Sequence, residues 1–255
     1  LDKRNWFHTY TRDDLMHLAK NGSFAVVPLA ATEQHGPHLP VYTDSMICEY
    51  VVSHSIQKLS GIMSALMTPV LTIGCSQHHL NYGGTLSYST ATYQHMLYDI
   101  TESLVKCGFR KIIFLNGHGG NAQIMVQAAQ DAAVRHPVWT AAASYWNLAK
   151  PALDDLGAEE VGLVPGHAGG FETSLIMALD PELIKGSAIK HDHPVNDWMR
   201  AEGSFIGKHG ELTGIDGFTD SPDKASAEKG RQYLDVIVNA VSAWMLELQK
   251  TMTAG

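Results

Sequence analysis

Apolar residues fall into runs and stripes that alternate along the chain. Phe24 to Ala31 is a continuous apolar run, as in a parallel strand buried on both faces. Ser45 to Leu59 has helical periodicity, with Thr43 or Asp44 placed as its N-cap. Val70 to Ile73 predicts a second strand, followed by a polar, glycine-bearing loop from Gly74 to Ser87. In Thr90 to Lys106, the residues Met96, Leu97, Ile100 and Leu104 recur at helical spacing, and Gly108 ends the helix. Lys111 to Leu115 is a short buried strand, and the turn 116–121 leads into a helix reaching about Arg135. Val138 to Ser144 reads as a fourth strand. A helix over Glu172 to Leu179 follows a glycine-rich turn, and Ala225 to Leu248 makes a long amphipathic C-terminal helix. Strands alternating with helices predict an α/β fold, with a mostly parallel sheet covered on both faces. No repeat, low-complexity tract or linker interrupts the pattern, so residues 1–255 read as a single domain.

Composition narrows the function classes. Apolar residues make up 45 % and charged residues 17 %, which excludes a disordered chain. A net charge of -8 disfavours nucleic acid, which wants a basic face. Cys48, Cys75 and Cys107 are odd in number and far apart, so they form neither a disulfide framework nor a thiolate zinc site. No apolar run is long enough to span a bilayer, and the N-terminal residues LDKRNWFHTY lack an apolar signal core. A reducing cytoplasm is the expected location, with no membrane partner. Fourteen histidines are the compositional outlier. His8, His17, His54, His95 and His136 sit in polar or helical contexts and read as surface residues.

In an open parallel sheet, sites form beyond the carboxyl ends of strands. Two such ends carry suitable chemistry. The first is Thr32-Glu33-Gln34-His35-Gly36-Pro37-His38. Glu33 and His35, two residues apart, point to one side of an extended chain, and Asp44 follows at the start of the next helix. The second is Asn116-Gly117-His118-Gly119-Gly120-Asn121, which aims His118 over the sheet edge. Carboxylates gathered in one pocket repel unless a cation lies among them. Oxygen and imidazole donors without thiolate suit zinc or manganese. Plainer readings compete at each position. Glu33 and His35 fit an exposed loop, Asp44 a helix cap, and His118 a satisfied backbone carbonyl. The glycine turn fits a phosphate cradle, although it lacks the G-x-G-x-x-G spacing and the P-loop lysine.

These segments, together with His167-Ala168-Gly169-Gly170-Phe171-Glu172-Thr173-Ser174, resemble the creatininase (creatinine amidohydrolase) family, in order from about Phe24 to Pro181. Ala227-Glu228-Lys229-Gly230 also looks familial. The resemblance implies a three-layer α/β/α fold and a site for two divalent ions, zinc or manganese with iron possible. It places Glu33, Asp44 and His118 on one ion, and His35, Asp44 and Glu172 on the other, with Asp44 shared. It gives His167 the role of moving a proton. On the residues alone, Glu172 also fits a helix N-terminus. The loop Ser76 to Thr85 resembles the family's substrate loop, so that His79, Tyr82 and Thr85 line the pocket, with His78 as a possible solvent-facing neighbour. Trp146 matches a pocket tryptophan, or else packs in the core or an interface. The family also implies a homo-oligomer, a hexamer as a trimer of dimers. For that, the chain itself offers only aromatics that look exposed, such as Trp6, Trp198 and Trp244.

Departures bear on substrate. Enzymes acting on creatinine resemble His-Tyr-Glu-Asn where this chain has His118-Gly119-Gly120-Asn121, and there the glutamate is itself a ligand. Val164-Pro165-Gly166 stands where they carry a tryptophan and an acid, and Gly83 where proline is usual. The expectation is therefore a hydrolase of a small polar cyclic amide or formamide rather than of creatinine. The alternatives are a ring-opening C–C hydrolase of a cyclic diketone such as an oxidised inositol, a non-catalytic metal-stabilised binding protein, and a nucleotide-binding domain. His191-Asp192-His193-Pro194 reads as a solvated turn or a further metal site.

Overall fold

Among the described residues four short strands form one parallel sheet: β1 (Phe24–Leu29), β2 (Ala65–Met67), β3 (Lys111–Asn116) and β4 (Trp139–Ser144), in the order β2-β1-β3-β4. The computed structural model describes residues 5–189, 206–207 and 216–252. The segment His191 to Pro194 and Trp198 lie outside the described residues. Val26 sits opposite Ile113, Leu29 opposite Asn116, and Asn116 opposite Ser144, so three strand ends line up along one rim.

The helices are α1 (Arg12–Lys20), α2 (Thr43–Lys58), α3 (Thr90–Cys107), α4 (Ala122–Arg135), α5 (Tyr145–Asp155), α6 (Gly170–Leu179) and α7 (Ala227–Thr251). Side chains of a strand point alternately to opposite faces, and both faces here are covered. Phe24, Val26, Ile113 and Leu115 pack with α2, α5, α6 and α7. Ala25, Val27, Leu29, Ile112 and Phe114 pack with α1, α3 and α4. The result is the expected three-layer α/β/α arrangement, with a sheet that is parallel throughout.

Three expectations are corrected. The second strand is Ala65–Met67, paired with β1, whereas Val70 to Ile73 contributes only a bridge from Leu71 to Leu29. Pro69 divides the two apolar stretches, and the one before it reaches the ladder. Tyr42, not Thr43 or Asp44, is the N-cap of α2. Thr43 Oγ1 instead donates to the Pro40 carbonyl at 2.7 Å, which leaves the buried Asp44 free for another task. Trp6 and Trp244 are half-buried and pack against the core rather than standing exposed. Two helices go unassigned in the sequence reading. α1 opens with a reciprocal cap between Thr11 and Asp14, and α5 carries Pro151 inside it. No helix among the described residues is long and apolar enough to cross a membrane.

Candidate metal centre

The aligned strand ends deliver the site. Beyond β1 the chain runs extended, and the Glu33 amide donates to the Val41 carbonyl at 2.9 Å, folding the loop back so that α2 begins beside it. Beyond β3, Asn116 holds the turn: its Oδ1 accepts from the His118 amide at 3.1 Å and its Nδ2 donates to Ser144 Oγ at 3.0 Å. The first turn of α6 supplies Glu172, whose Oε2 accepts from the Ala168 amide at 2.6 Å. Ala168 has a φ of 49°, a conformation that costs an alanine about 1 kcal/mol. This strained turn separates His167 from Glu172.

Glu33, His35, Asp44, His118 and Glu172 are all buried, none more than 5 % exposed, and they converge. Asp44 Oδ1 lies 3.1 Å from His35 Nε2, and Asp44 Oδ2 lies 3.0 Å from His118 Nδ1. His35 Nε2 is also 3.6 Å from Glu172 Oε2, and His118 Nδ1 is 3.3 Å from Glu33 Oε1. The other nitrogen of each imidazole faces a backbone carbonyl. His35 Nδ1 donates to the Glu33 carbonyl at 3.1 Å and His118 Nε2 to the Cys75 carbonyl at 3.1 Å. A carbonyl can only accept, so that nitrogen of each ring carries a hydrogen and the ring is held with its other nitrogen turned toward carboxylates. This is the arrangement that orients metal-ligating histidines. Among the described residues Glu33 Oε2 and Asp44 Oδ2 are buried without a hydrogen-bond partner, and the 3.0 Å approach of His118 Nδ1 to Asp44 Oδ2 lacks hydrogen-bond direction. Donor atoms of Glu33, His35 and Asp44 lie within 4.8 Å of one another, as do those of His35, His167 and Glu172, and those of Glu33, His79 and His167. These groups could hold metal ions.

The electrostatics say what the cluster does without one. Burial acts against every charge here. It pushes Asp44 up, yet His35 and His118 hold its carboxyl below the usual range. Glu33 is likewise held down against burial, chiefly by His118. Burial lowers His35, but Asp44 and then Glu172 raise it to about 10. His118 stands well above its ordinary value against burial, through Glu33 and Asp44. Burial, with the Asp44 charge adding to it, pushes Glu172 up to about 8.

His167 sits beside this cluster, its Nδ1 3.5 Å from Glu33 Oε1, with 12 % side-chain exposure that marks the solvent side. His79 is buried, with Nε2 3.5 Å from the same oxygen and its ring stacked 4.0 Å from that of His167. Burial takes His79 down to about 3, and burial with neighbouring His35 takes His167 well below its ordinary value, so both rings are neutral. His78 is half-buried beside His79, ring centroids 4.2 Å apart. Thr85 Oγ1 accepts from the Gln34 amide at 3.0 Å. Tyr82 is 43 % exposed, and Trp146 is half-buried against the core, edge-on to Tyr145. Sequence reading assigns no role to Gln34, yet its side chain contacts both His79 and His167. A glutamine gives no signal of this beyond its place in the motif. Nor does sequence explain Gly120: a Cβ there would lie 2.1 Å from the Cys75 carbonyl oxygen and 2.6 Å from His118 Nε2. A glutamate at this position is excluded by the backbone that pins His118.

A parallel α/β sheet whose rim gathers buried carboxylates and imidazoles is the framework of a metal-dependent hydrolase. The family profile described as Creatininase: Creatinine amidohydrolase matches residues 8–245, and the chain belongs to this family of amidohydrolases. It is 30 % identical to the mycofactocin precursor peptide peptidase of Mycolicibacterium smegmatis, covering 84 % of this chain and 81 % of that one. It is 29 % identical to the creatinine amidohydrolase of Pseudomonas putida, covering 85 % and 86 %. A 3-dehydro-scyllo-inosose hydrolase of Thermotoga maritima is 24 % identical, over 70 % of this chain and 57 % of that one. A creatininase crystal structure superposes with a TM-score of 0.80 at 25 % identity over 100 % of both chains. A creatininase variant of Zn-Zn type does so at 0.81 and 25 %, covering 99 % and 100 %.

Proposed function

We propose that the protein is a two-metal hydrolase cleaving the C–N bond of a small polar cyclic amide or formamide. Glu33, Asp44 and His118 would hold one ion, and His35, Asp44 and Glu172 the other. The observation that carries this reading is Asp44, whose two oxygens each face a different imidazole nitrogen, at 3.1 Å and 3.0 Å. The all-oxygen-and-imidazole donor set suits zinc or manganese, with iron possible. A pair of ions held this way supplies an activated water and polarises a carbonyl.

The remaining work falls to side chains. His167, neutral and on the solvent side, accepts a proton at Nδ1 and hands it to the leaving nitrogen. Glu172 acts with it at the far end of the 167–172 turn, as ligand and as acid–base partner. His79, Tyr82 and Trp146 are proposed to meet the substrate. Thr85 is proposed to line the pocket with them, and its Oγ1 also accepts from the Gln34 amide. Assembly into a hexamer, as a trimer of dimers in the cytoplasm, is part of the same proposal.

Relatives named as a peptidase and an amidohydrolase, at 30 % and 29 % identity, favour C–N cleavage. Ring-opening C–C hydrolysis of an oxidised inositol is the second reading, favoured by the relative at 24 %. The test is product analysis of the zinc- or manganese-loaded protein on creatinine, a formamidopyrimidine, a short peptide and a keto-inositol. Turnover of an amide or formamide supports the proposal. Opening of the keto-inositol with no turnover of any C–N substrate overturns it.

A further inference from the structure

Gln34 is buried, and every polar group it has is engaged. Its amide N–H donates to Thr85 Oγ1 at 3.0 Å, and its side-chain Oε1 accepts from the Gly36 amide at 2.9 Å. Its Nε2 donates to the Gly217 carbonyl at 3.0 Å. An amide N–H can only donate and a carbonyl can only accept, so these two contacts fix which way the carboxamide is turned. One Nε2 proton remains. His79 Nδ1 lies 2.8 Å away and His167 Nε2 3.0 Å away, both candidates to receive it. His167 Nε2, however, is 2.9 Å from the Gln34 backbone carbonyl, toward which it can only donate. The proton therefore goes to His79 Nδ1.

We infer that Gln34 is a positioning residue that sets His79 and His167 in opposite proton roles at the site. His79, accepting at Nδ1, must carry its hydrogen on Nε2, and that N–H faces Glu33 Oε1 at 3.5 Å. His167, donating from Nε2, turns a bare Nδ1 toward the same oxygen at 3.5 Å. One residue thus presents a hydrogen-bond donor and a proton acceptor side by side, from two stacked rings 4.0 Å apart. The segment 216–221 contacts both Gln34 and His167. Gly217 has a φ of 79°, and a Cβ on it would come within 2.2 Å of Gln34 Oε1. Thr219 brackets His167, its amide donating to the His167 carbonyl at 2.9 Å and its Oγ1 accepting from the His167 amide at 2.8 Å. The catalytic consequence rests on the hydrolase reading above, whereas the proton arrangement does not.

Long-range nitrogen–proton correlation of the imidazole rings reads tautomers directly. The full chain, labelled with nitrogen-15 histidine, is measured metal-free and with zinc added, and the two rings are assigned by His79→Phe and His167→Phe. Both rings are expected as the Nε2–H form. In Gln34→Met and in Gln34→Glu, neither of which offers a side-chain N–H, His79 should lose that form and His167, held by a backbone carbonyl, should keep it. With a substrate in hand, both variants should lower kcat by about 10- to 100-fold at unchanged zinc content, with little change in KM. An Nδ1–H form of His79 in the parent chain, or an unaltered His79 in both variants, overturns the inference. Tautomers as expected, with no hydrolysis of any substrate, would overturn the hydrolase reading and leave the proton arrangement standing.

Discussion

Loading the site with metal must expel protons, and the structure says how many. In the metal-free chain at pH 7, His35 holds a proton with a pKa of about 10, His118 holds one well above its ordinary value, and Glu172 holds one at about 8. Two cationic imidazoles then balance the anionic Glu33 and Asp44. Ions replacing those protons need the lone pairs of both imidazoles and the ionised Glu172, so saturation releases about three protons per chain. Stripping His35 alone at pH 7 costs on the order of 4 kcal/mol of gross binding energy. The overall affinity should rise by up to about 3 log units per pH unit near neutrality. The assay is calorimetric titration with zinc in buffers of different ionisation enthalpy, where the slope of observed against buffer enthalpy counts protons. Release of one proton or none would refute the reasoning. The same groups set the metal-free protein's stability. Each keeps its proton in the folded chain to a higher pH than in the unfolded chain, so stability falls as pH rises. Glu172 acts between its ordinary 4.5 and about 8, and His35 between 6.5 and about 10. Each proton contributes a slope of at most about 1.4 kcal/mol per pH unit, measurable by urea denaturation with chelator present.

Asp44→Ala should lose both ions by elemental analysis, whereas His167→Ala should keep them and lose about 100- to 10,000-fold in kcat. Equal metal loss in the two variants would mean their roles are misassigned. Gly120→Ala, meeting the Cys75 carbonyl at 2.1 Å, should displace the loop that pins His118 and weaken zinc binding by about 10- to 100-fold. Unchanged affinity in a zinc competition assay would contradict that. Leu97→Ala, at a fully buried position of α3 on the far side of the sheet, should cost about 2–5 kcal/mol in urea denaturation and leave metal content alone.

Much of the layering is legible in the chain because buried parallel strands need continuous apolar runs and amphipathic helices need a stripe. Phe24 to Leu29 and Lys111 to Asn116 satisfy the first demand, α3 and α7 the second. Ala65–Met67 is not legible: three apolar residues at a sheet edge look no different from those after Pro69, and only pairing with β1 decides between them. Glu33, His35, His118 and Glu172 stand out because each follows a strand end or a glycine turn. Their convergence lies in the register of β1, β3 and β4, which periodicity cannot specify. His8, His17 and His95 are exposed, as polar helical contexts predict, whereas His54 and His136 are half-buried. Gln34 stays silent in sequence because its work depends on carbonyls from Gly217 and amides from Gly36, far apart in one case and adjacent in the other. Asp44 shows the same limit. Sequence places it at the start of α2, where capping is the ordinary task, and only the position of Tyr42 as N-cap frees it.

Diffraction from crystals grown with zinc, collected at the metal's absorption edge, tests the central claim most directly. Two anomalous peaks are expected about 3.5–4 Å apart, one on each side of the Asp44 carboxylate. A single peak there, or peaks remote from Asp44, would contradict the account.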